Sequence, residues 1–264
     1  MPLTLTMSSI LSEIKNNIAF ITLNRPEKFN SFNRGMALSL QERLQEADAN
    51  KEVRCVYITG AGKAFCAGQD LAEVVDVNGP GMDKILVEHF NPIVTLIRNL
   101  NKPVVAAVNG VAAGAGANIA LCCDVVVAAE SASFIQAFSK IGLIPDSSGT
   151  FFLPRLIGFQ KASALMMMGD KVNATEAERT GMVYKVFSDN SFAEESMKLA
   201  STLAVLPTKA LYFIKQALNN SLTQNLQQQL ATEDEYQQKA AATNDFKEGV
   251  QSFLEKRTPI FKGE

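Results

Sequence analysis

The sequence predicts an α/β fold followed by a helical C-terminal region. In the first part of the chain, short apolar segments rich in β-formers alternate with segments of helical periodicity. From about residue 192 the β-rich segments stop, and the rest of the 264-residue chain has helical patterns. A chain of this length can bury a substantial apolar core. We therefore expect an α/β core over residues 1–191, packed against a helical region over residues 192–264.

Five segments of the first part are predicted to be strands. Each is short and apolar, and several end at Gly or Asn, which favour turns. Because they are too apolar to have one face in water, they are typical of a buried, mostly parallel sheet. The segments are residues 17–24, 53–60, 102–110, 124–130 and 182–187.

Helices are predicted between the strands and throughout the C-terminal part. Between the first two strands, Met36, Leu40 and Leu44 recur every four residues on an otherwise polar segment, as in an amphipathic helix. Pro207 suits the start of a C-terminal helix, where its missing N–H costs least. The apolar stripes of the C-terminal helices predict a lid over the active site or an oligomerisation surface.

Composition argues against several classes of function. The net charge is −2, and the 25 basic and 27 acidic residues are spread along the chain. No basic stripe suited to a phosphate backbone is present, so nucleic acid is not an expected partner. No apolar segment approaches the roughly 20 residues that cross a bilayer, and the start of the chain does not have the pattern of a secretory signal. We expect no membrane contact and a cytoplasmic location.

The few cysteines and the single histidine do not indicate a metal site. Cys55, Cys66, Cys122 and Cys123 lie in or beside apolar segments without metal-ligand spacing, and His89 is the only histidine. We expect no metal and no disulfide framework. An activated thiolate needs a positive partner or a helix N-terminus, so the cysteines are interpreted as structural.

Two loops rich in Gly and Ala follow predicted strands, at residues 59–73 and 109–124. Neither matches a nucleotide-binding fingerprint. Small residues allow a ligand to approach the backbone closely, and a helix beginning near Gly114 would have free N–H groups at its start. Donors from the two loops could form an oxyanion hole, or the small residues could serve tight helix–strand packing. The sequence pattern leaves both interpretations open.

A single acid, Asp146, occurs in the segment of residues 138–158, "FSKIGLIPDSSGTFFLPRLIG". The Pro, Ser and Gly residues around it predict a turn and then a helix. Asp is among the best N-cap residues, so Asp146 could be a helix cap or a catalytic base. A helix N-terminus would lower the pKa of Asp146 and apolar walls would raise it.

Five long motifs follow one another along the chain: "FCAGQDL", "KPVVAAVNGVAAGAGANIALCCDVVVAAESASF", "GLIPDSSGTFFLPRLIG", "ATEAERTGMVYKVF" and "FKEGVQSFLEKRTPIFKG". They resemble, in this order, the motifs of the enoyl-CoA hydratase/isomerase (crotonase) superfamily. The resemblance covers nearly the whole chain and implies a spiral of β-β-α units with a helical C-terminal region that forms homotrimers, often paired into hexamers. It also implies an acyl-CoA thioester as substrate and no separate cofactor, because coenzyme A is part of the substrate.

The resemblance also implies roles for individual residues. The backbone N–H groups of Gln69 and Ala115 match the pair that holds the thioester oxygen in this family. Contacts to the substrate and coenzyme A are implied for a further set of positions. They are Lys28, Phe29, Ala64, Ala67, Asp70, Leu71 and Phe138.

Within the family, the resemblance favours an isomerase. Hydratases of the family use two glutamates, and the matching positions here are Asn118 and Phe138, which cannot act as bases. Isomerases of the family place a carboxylate at the position of Asp146, where hydratases typically have Gly. Ser148 is a departure, because relatives usually have Gly there, and it is expected to alter the turn beside Asp146.

The implied reaction is a proton shuttle by Asp146 on an acyl-CoA thioester. The motifs are most similar to those of isomerases that convert 1,2-epoxyphenylacetyl-CoA to oxepin-CoA in phenylacetate degradation and that also shift Δ3 double bonds of enoyl-CoA to Δ2. Two alternatives remain: an enoyl-CoA hydratase of fatty-acid oxidation that recruits water with Asp146 alone, and a non-catalytic acyl-CoA-binding member in which Asp146 is only a cap.

Overall fold

The computed structural model describes residues 8–264. The first seven residues of the predicted core lie outside the described part. Strands over the described residues form two sheets of six and four strands. The strands are β1 (Ile10–Lys15), β2 (Ile18–Leu23), β3 (Cys55–Gly60), β4 (Ala64–Cys66), β5 (Val104–Val108), β6 (Val111–Ala113), β7 (Val125–Ala129), β8 (Ser133–Ile135), β9 (Lys171–Asn173) and β10 (Lys185–Phe187).

The order of the strands shows the β-β-α spiral. The large sheet has the order β1-β2-β3-β5-β7-β10 and the small sheet the order β4-β6-β8-β9. Only β1 with β2 and β8 with β9 pair antiparallel; the other described pairs are parallel. Each of the successive pairs β3/β4, β5/β6 and β7/β8 gives one strand to each sheet. The predicted spiral is thereby confirmed.

All five predicted strands are present, as β2, β3, β5, β7 and β10. Every residue of β5 is buried, as expected for a parallel strand covered on both faces. The other strands were not predicted. The strands of the small sheet have three residues each, which is too short for a periodic pattern, and β1 is exposed over five of its six residues.

The helices cover the sheets and form the C-terminal region. Turns of other helical types lie at Pro26–Lys28 and Ala137–Ile141 (3₁₀) and at Ile85–Phe90 (π). The α-helices are α1 (Arg34–Ala49), α2 (Leu71–Val74), α3 (Met82–Lys84), α4 (Asn91–Asn99), α5 (Ala115–Leu121), α6 (Gly149–Ile157), α7 (Phe159–Met168), α8 (Ala174–Arg179), α9 (Phe192–Val205), α10 (Thr208–Ser221), α11 (Leu226–Ala241) and α12 (Asn244–Glu255).

Helix α1 and the C-terminal helices agree with the sequence pattern. Met36, Leu40 and Leu44 are fully buried, so the amphipathic interpretation of α1 is confirmed. Pro207 precedes α10 at its N-cap position, where no backbone N–H is required. No helix in residues 8–264 is both long enough and apolar enough to span a bilayer.

A buried ion pair holds α10 against the core. Lys215 is buried, and its Nζ contacts the Asp124 carboxylate at 2.8 Å and donates to the Ile97 carbonyl at 2.6 Å. Arg98 also contacts Asp124, at 3.0 Å. Because burial of a charge is favourable only when it is paired, loss of either partner leaves an uncompensated group.

We expect Lys215→Met to lower the free energy of unfolding by about 3 kcal/mol, because it leaves the Asp124 carboxylate, which is only 14% exposed, with one cation fewer. Denaturant unfolding at fixed protein concentration measures the change. Lys209→Met is the matched control, since Lys209 lies on the same helix and is exposed. Equal stability of Lys215→Met and the control would show that the ion pair contributes little.

Candidate active site

The loop after β2 lies beside the loop after β4. The backbone N–H of Ala67 donates to the Phe29 carbonyl at 2.9 Å, and that of Asp70 donates to the Phe32 carbonyl at 2.8 Å. Asn30 has a left-handed φ of 56° and donates its side-chain amide to the Ala64 carbonyl at 2.8 Å. These bonds bring most of the predicted coenzyme A positions onto two adjoining segments, the loop after β2 and the segment from β4 to the start of α2. Those positions are Lys28, Phe29, Ala64, Ala67, Asp70 and Leu71.

The predicted positions differ in how they are exposed. Lys28, Phe29 and Leu71 are exposed and available to a ligand. Ala64 is 1% exposed, and its carbonyl accepts from Asn30, so it supports the loop from inside. The part that each residue has in binding coenzyme A stays a prediction.

The Asp70 carboxylate is bound by other groups of the protein. Its carboxylate contacts Arg25 at 2.9 Å and accepts from the Ala72 backbone N–H at 3.1 Å, which caps α2. Burial acts to raise the pKa of Asp70, but these hydrogen bonds and the charge of Arg25 together hold that pKa below its usual value. The role of Arg25 was not recognised in the sequence, where nothing marks it as the partner of an acid 45 residues away.

Gln69 provides the first of the two predicted N–H donors. Its neighbours bond to Phe32: the Phe32 N–H donates to the Gly68 carbonyl, and the Asp70 N–H donates to the Phe32 carbonyl. In extended backbone alternate N–H groups point to opposite sides, so the Gln69 N–H is directed away from Phe32. It donates no hydrogen bond within residues 8–264.

Ala115 provides the second donor, as the first residue of α5. Gly114, with φ 52°, precedes the helix without a side-chain cap. In the described part of the chain the Ala115 N–H also donates to no acceptor, as is usual for the first turn of a helix. The prediction of a helix beginning at this point with free N–H groups is confirmed.

Glycines bring the two donor loops into contact. A Cβ added to Gly68 would lie 3.0 Å from the Ala113 carbonyl oxygen and 3.3 Å from the Ala115 nitrogen. A Cβ added to Gly116 would lie 2.4 Å from the Cys66 carbonyl oxygen. The chain before Gln69 therefore lies directly against the start of α5, so the small residues serve close packing and also bring two free N–H groups into one region. The packing interpretation of these loops is confirmed, and the oxyanion hole stays a prediction.

Asp146 is not a helix cap. Helix α6 begins at Gly149, its N-cap position is Ser148, and no side chain bonds to the free N–H groups there. Ser147 and Ser148 have left-handed φ values of 48° and 65°, so the turn continues past Asp146 before the helix begins. The capping interpretation of Asp146 was wrong for this reason.

The environment of Asp146 favours its protonated form. Burial raises the pKa of Asp146 above the ordinary carboxyl value, although hydrogen bonds from the Ser147 hydroxyl and from its own backbone N–H act in the opposite direction. The Ser147 Oγ lies 2.8 Å from a carboxylate oxygen of Asp146. The sequence left the direction of this shift open; in the structure burial decides it.

Asn118 and Phe138, which the family resemblance matches to the two hydratase glutamates, are non-basic side chains near the two N–H groups. The Phe138 ring is 6% exposed, and its Cζ would lie 3.6 Å from a Cβ added to Gly114. Asn118, which is 1% exposed, donates its amide to the Asp146 carbonyl at 2.8 Å and accepts from the Gln136 amide at 2.8 Å. Gln136 was missed in the sequence, where a Gln within the apolar segment "ASFIQAF" was a usable signal.

We expect Ser148→Gly to raise the free energy of unfolding by about 0.5 kcal/mol. A left-handed backbone costs a residue with a Cβ roughly 1–2 kcal/mol, and the extra freedom of Gly in the unfolded chain offsets about 0.5–1 kcal/mol of the gain. The thermal midpoint checks the prediction. A lower midpoint would show that the Ser148 hydroxyl, which donates to the Ser147 carbonyl, outweighs the strain.

The cysteines are free and buried in the structure. Burial raises the pKa of Cys66 to about 12, although a hydrogen bond from Gly68 acts in the opposite direction. A thiol with so high a pKa is a poor nucleophile at neutral pH. This agrees with the structural interpretation. Within residues 8–264 no cluster of three or more His, Cys, Asp or Glu side chains could hold a metal ion.

Comparison with known proteins agrees with this architecture. The profile of the family described as Enoyl-CoA hydratase/isomerase matches residues 13–264. The 1,2-epoxyphenylacetyl-CoA isomerase of Escherichia coli K12 is 47% identical over 97% of this chain and 99% of its own. The 2,3-dehydroadipyl-CoA hydratase of the same strain is 36% identical over 97% of this chain and all of its own. The crystal structure of enoyl-CoA hydratase from Bacillus anthracis is 34% identical, with a TM-score of 0.90 over 97% of this chain and all of its own.

The spiral of β-β-α units defines a crotonase-type α/β protein, and its candidate site contains two backbone N–H groups that have no acceptor in residues 8–264. The agreement of the family profile with nearly the whole chain is decisive. The chain belongs to the enoyl-CoA hydratase/isomerase family.

Proposed function

We propose that the protein is an acyl-CoA isomerase in which Asp146 is the single catalytic base. The observation that carries the proposal is the combination of a partly buried carboxylate at residue 146 with non-basic side chains at residues 118 and 138. A carboxyl whose pKa is raised by burial is a better base once it is ionised. Asn118 and Phe138 cannot activate water, so the two-glutamate route to hydration is not open to this site.

The mechanism follows from the two backbone N–H donors and the Asp146 carboxylate. The thioester oxygen accepts hydrogen bonds from the backbone N–H groups of Gln69 and Ala115. Asp146 removes a proton from the carbon α to the thioester, and the electron pair of that C–H bond moves to the oxygen as an enolate. The two N–H groups stabilise the charge of the enolate. Asp146 then returns the same proton to another carbon of the conjugated system, so that the product is an isomer of the substrate.

The substrate that we propose is 1,2-epoxyphenylacetyl-CoA, converted to oxepin-CoA. In this reaction the ring C–C bond that the epoxide oxygen bridges breaks and its electron pair redistributes into the seven-membered ring. The proton that Asp146 takes from the α carbon is returned to a ring carbon, so the product has the same atoms as the substrate. Support comes from the 47% identity to the Escherichia coli isomerase named for this epoxide. The Δ3 to Δ2 shift of enoyl-CoA needs the same base and the same oxyanion hole. No cofactor is needed for either reaction, since coenzyme A arrives with the substrate. A cytoplasmic location stays a prediction.

Coenzyme A is proposed to bind over the two adjoining loops after β2 and β4. Exposed Lys28 offers a positive charge for the phosphates, and exposed Phe29 and Leu71 offer apolar surface for the pantetheine and adenine. Ala67 is part of the same loop surface. Phe138 would form an apolar wall beside the thioester.

A homotrimer, alone or paired as a hexamer, is the proposed assembly. Its support is the apolar surface of α12, where Phe253 is 82% and Leu254 70% exposed. Large exposed apolar patches are typical of interaction surfaces. Light scattering at micromolar concentration tests the assembly, and a monomer would contradict it.

Incubation of the purified protein with three substrates tests the function. We expect turnover of 1,2-epoxyphenylacetyl-CoA and of a 3-enoyl-CoA, without addition of water to a 2-enoyl-CoA. Hydration of the 2-enoyl-CoA would favour the hydratase alternative, which is represented among the relatives. Binding of all three esters without turnover would favour the non-catalytic acyl-CoA-binding alternative.

A further inference from the structure

Helix α5 connects the two halves of the proposed site. Ala115, with its free N–H, is its first residue, and Asn118 follows one turn later on the same face. All seven residues of α5 are buried, and the Asn118 N–H donates to the Gly114 carbonyl at 3.1 Å, which closes the first turn. The oxyanion donor and the Asn118 side chain are therefore held on one short, rigid element.

Both ends of the Asn118 amide are engaged by other segments. Its Nδ2 donates to the Asp146 carbonyl, and its Oδ1 accepts from Gln136 at the end of β8. Gly149, the first residue of α6, packs on the same amide: an added Cβ would lie 2.3 Å from the Asn118 Nδ2. The Asn118 side chain thus couples the orientation of the turn before α6 to the orientation of α5.

Few other contacts hold the turn at Asp146. Its carbonyl also accepts from the Gly149 N–H at 2.8 Å, but that bond lies within the turn and moves with it. The Asp146 carboxylate accepts from its neighbour Ser147, which moves with it as well. Among these hydrogen bonds only the one from Asn118 ties the turn to the helix that carries the oxyanion donor.

We propose that Asn118 is a positioning residue that fixes the distance and angle between the Asp146 carboxylate and the oxyanion hole, and that Gln136 orients the Asn118 amide for this purpose. This inference rests on the proposed role of Asp146 as the base. Asn118 acts through the Asp146 backbone and does not itself transfer a proton. A misplacement of about 1 Å in such a site costs up to about 10²-fold in rate.

Two variants separate positioning from general structural support. Asn118→Asp keeps the acceptor for Gln136 but loses the donor to the Asp146 carbonyl. Gln136→Met removes the donor to Asn118 and changes no residue of α6 or of the turn. We expect the kcat for isomerisation of a 3-enoyl-CoA to fall by about 10- to 100-fold in Asn118→Asp and about 3- to 10-fold in Gln136→Met. KM is expected to stay within about twofold, because the thioester and coenzyme A contacts are unchanged.

The exposed Gln45 on α1 supplies the control Gln45→Met, which is expected to leave both constants unchanged. Because the two residues act in one chain of hydrogen bonds, the double variant should lose less than the product of the single losses. If Asn118→Asp does not fold, Gln136→Met alone decides: an unchanged kcat overturns the proposal, and a selective loss of kcat supports it.

Parallel measurement of Asp146→Asn distinguishes failure of the positioning role of Asn118 from failure of the proposed function. Loss of turnover in Asp146→Asn with normal kcat in both the Asn118 and Gln136 variants would overturn the positioning role and leave the base in place. Normal turnover in Asp146→Asn would overturn the proposed function and this inference with it. A rise in KM with unchanged kcat in the Asn118 variant would also overturn positioning of the base.

Discussion

Asp146→Asn is expected to lower isomerase turnover by about 10²-fold or more, the usual scale for loss of a positioned general base. Asn keeps the size of the side chain, and its oxygen can still accept from the Ser147 hydroxyl, but it cannot accept a proton. Binding of the CoA ester should persist, since the oxyanion donors are backbone groups. Steady-state kinetics with a 3-enoyl-CoA, together with titration of a non-reactive CoA ester, measures both quantities.

The stability of Asp146→Asn provides the control for this result. Burial raises the pKa of Asp146 above its value in the unfolded chain, so the ionised carboxylate destabilises the fold at neutral pH. That penalty disappears as the pH falls below the ordinary carboxyl pKa. Asn carries no charge, so the free energy of unfolding at pH 7 should stay equal or rise. Near-normal turnover would remove Asp146 as the base.

The pH profile of the wild-type enzyme follows from the same shift. Asp146 must be ionised to accept a proton, so turnover should fall as the pH drops through its raised pKa. The midpoint of the acidic limb of turnover against pH is therefore expected above the pH at which an ordinary carboxyl titrates. A limb at or below the ordinary carboxyl pKa would disagree with a buried base.

Gly68→Ala is expected to lower turnover by about 10²- to 10³-fold, the scale for loss of one oxyanion donor. Gly68 has φ 93°, and the added Cβ would lie 3.0 Å from the Ala113 carbonyl oxygen and 3.3 Å from the Ala115 nitrogen. The loop must move away from α5, which separates the N–H groups of Gln69 and Ala115. Single-turnover kinetics isolates the chemical step.

Gly181→Ala is the matched control for backbone strain. Gly181 has a comparable φ of 78°, but its nearest contact to an added Cβ is an ordinary 3.5 Å. We expect both variants to lose stability and only Gly68→Ala to lose turnover. Equal loss of turnover in the two variants would attribute the effect to strain and not to the donors.

The elements with long periodic patterns could be predicted from the sequence, and the short ones could not. The pattern of Met36, Leu40 and Leu44 persists over several helical turns, so α1 was recognised correctly. Strands β4, β6, β8 and β9 have three residues each, and no period can be measured over so short a segment. These short strands form the small sheet, which therefore could not be predicted from the sequence.

The candidate site residues were recognised from family motifs more than from physical patterns in the sequence. The closeness of the Gln69 and Ala115 segments depends on the packing of Gly68 against α5, and local sequence contains no measure of that contact. The start of α6 was misjudged because Ser147 and Ser148 adopt left-handed angles that are rare for Ser. The direction of the Asp146 pKa shift depends on burial by distant segments, so it needed the structure.

The spiral order of the strands also sets the spacing of the chemical groups. Gln69 follows β4, Ala115 follows β6 and Phe138 follows β8, and these strands are neighbours in the small sheet. Adjacent strands lie about 4.8 Å apart, so successive turns of the spiral deliver one donor, a second donor and the apolar wall at regular intervals. An insertion in one of the three loops would move the residue that this loop carries. It would leave the distance between the residues of the other two loops unchanged. Such an arrangement would let the surroundings of the acyl group vary while the proposed oxyanion donors are retained.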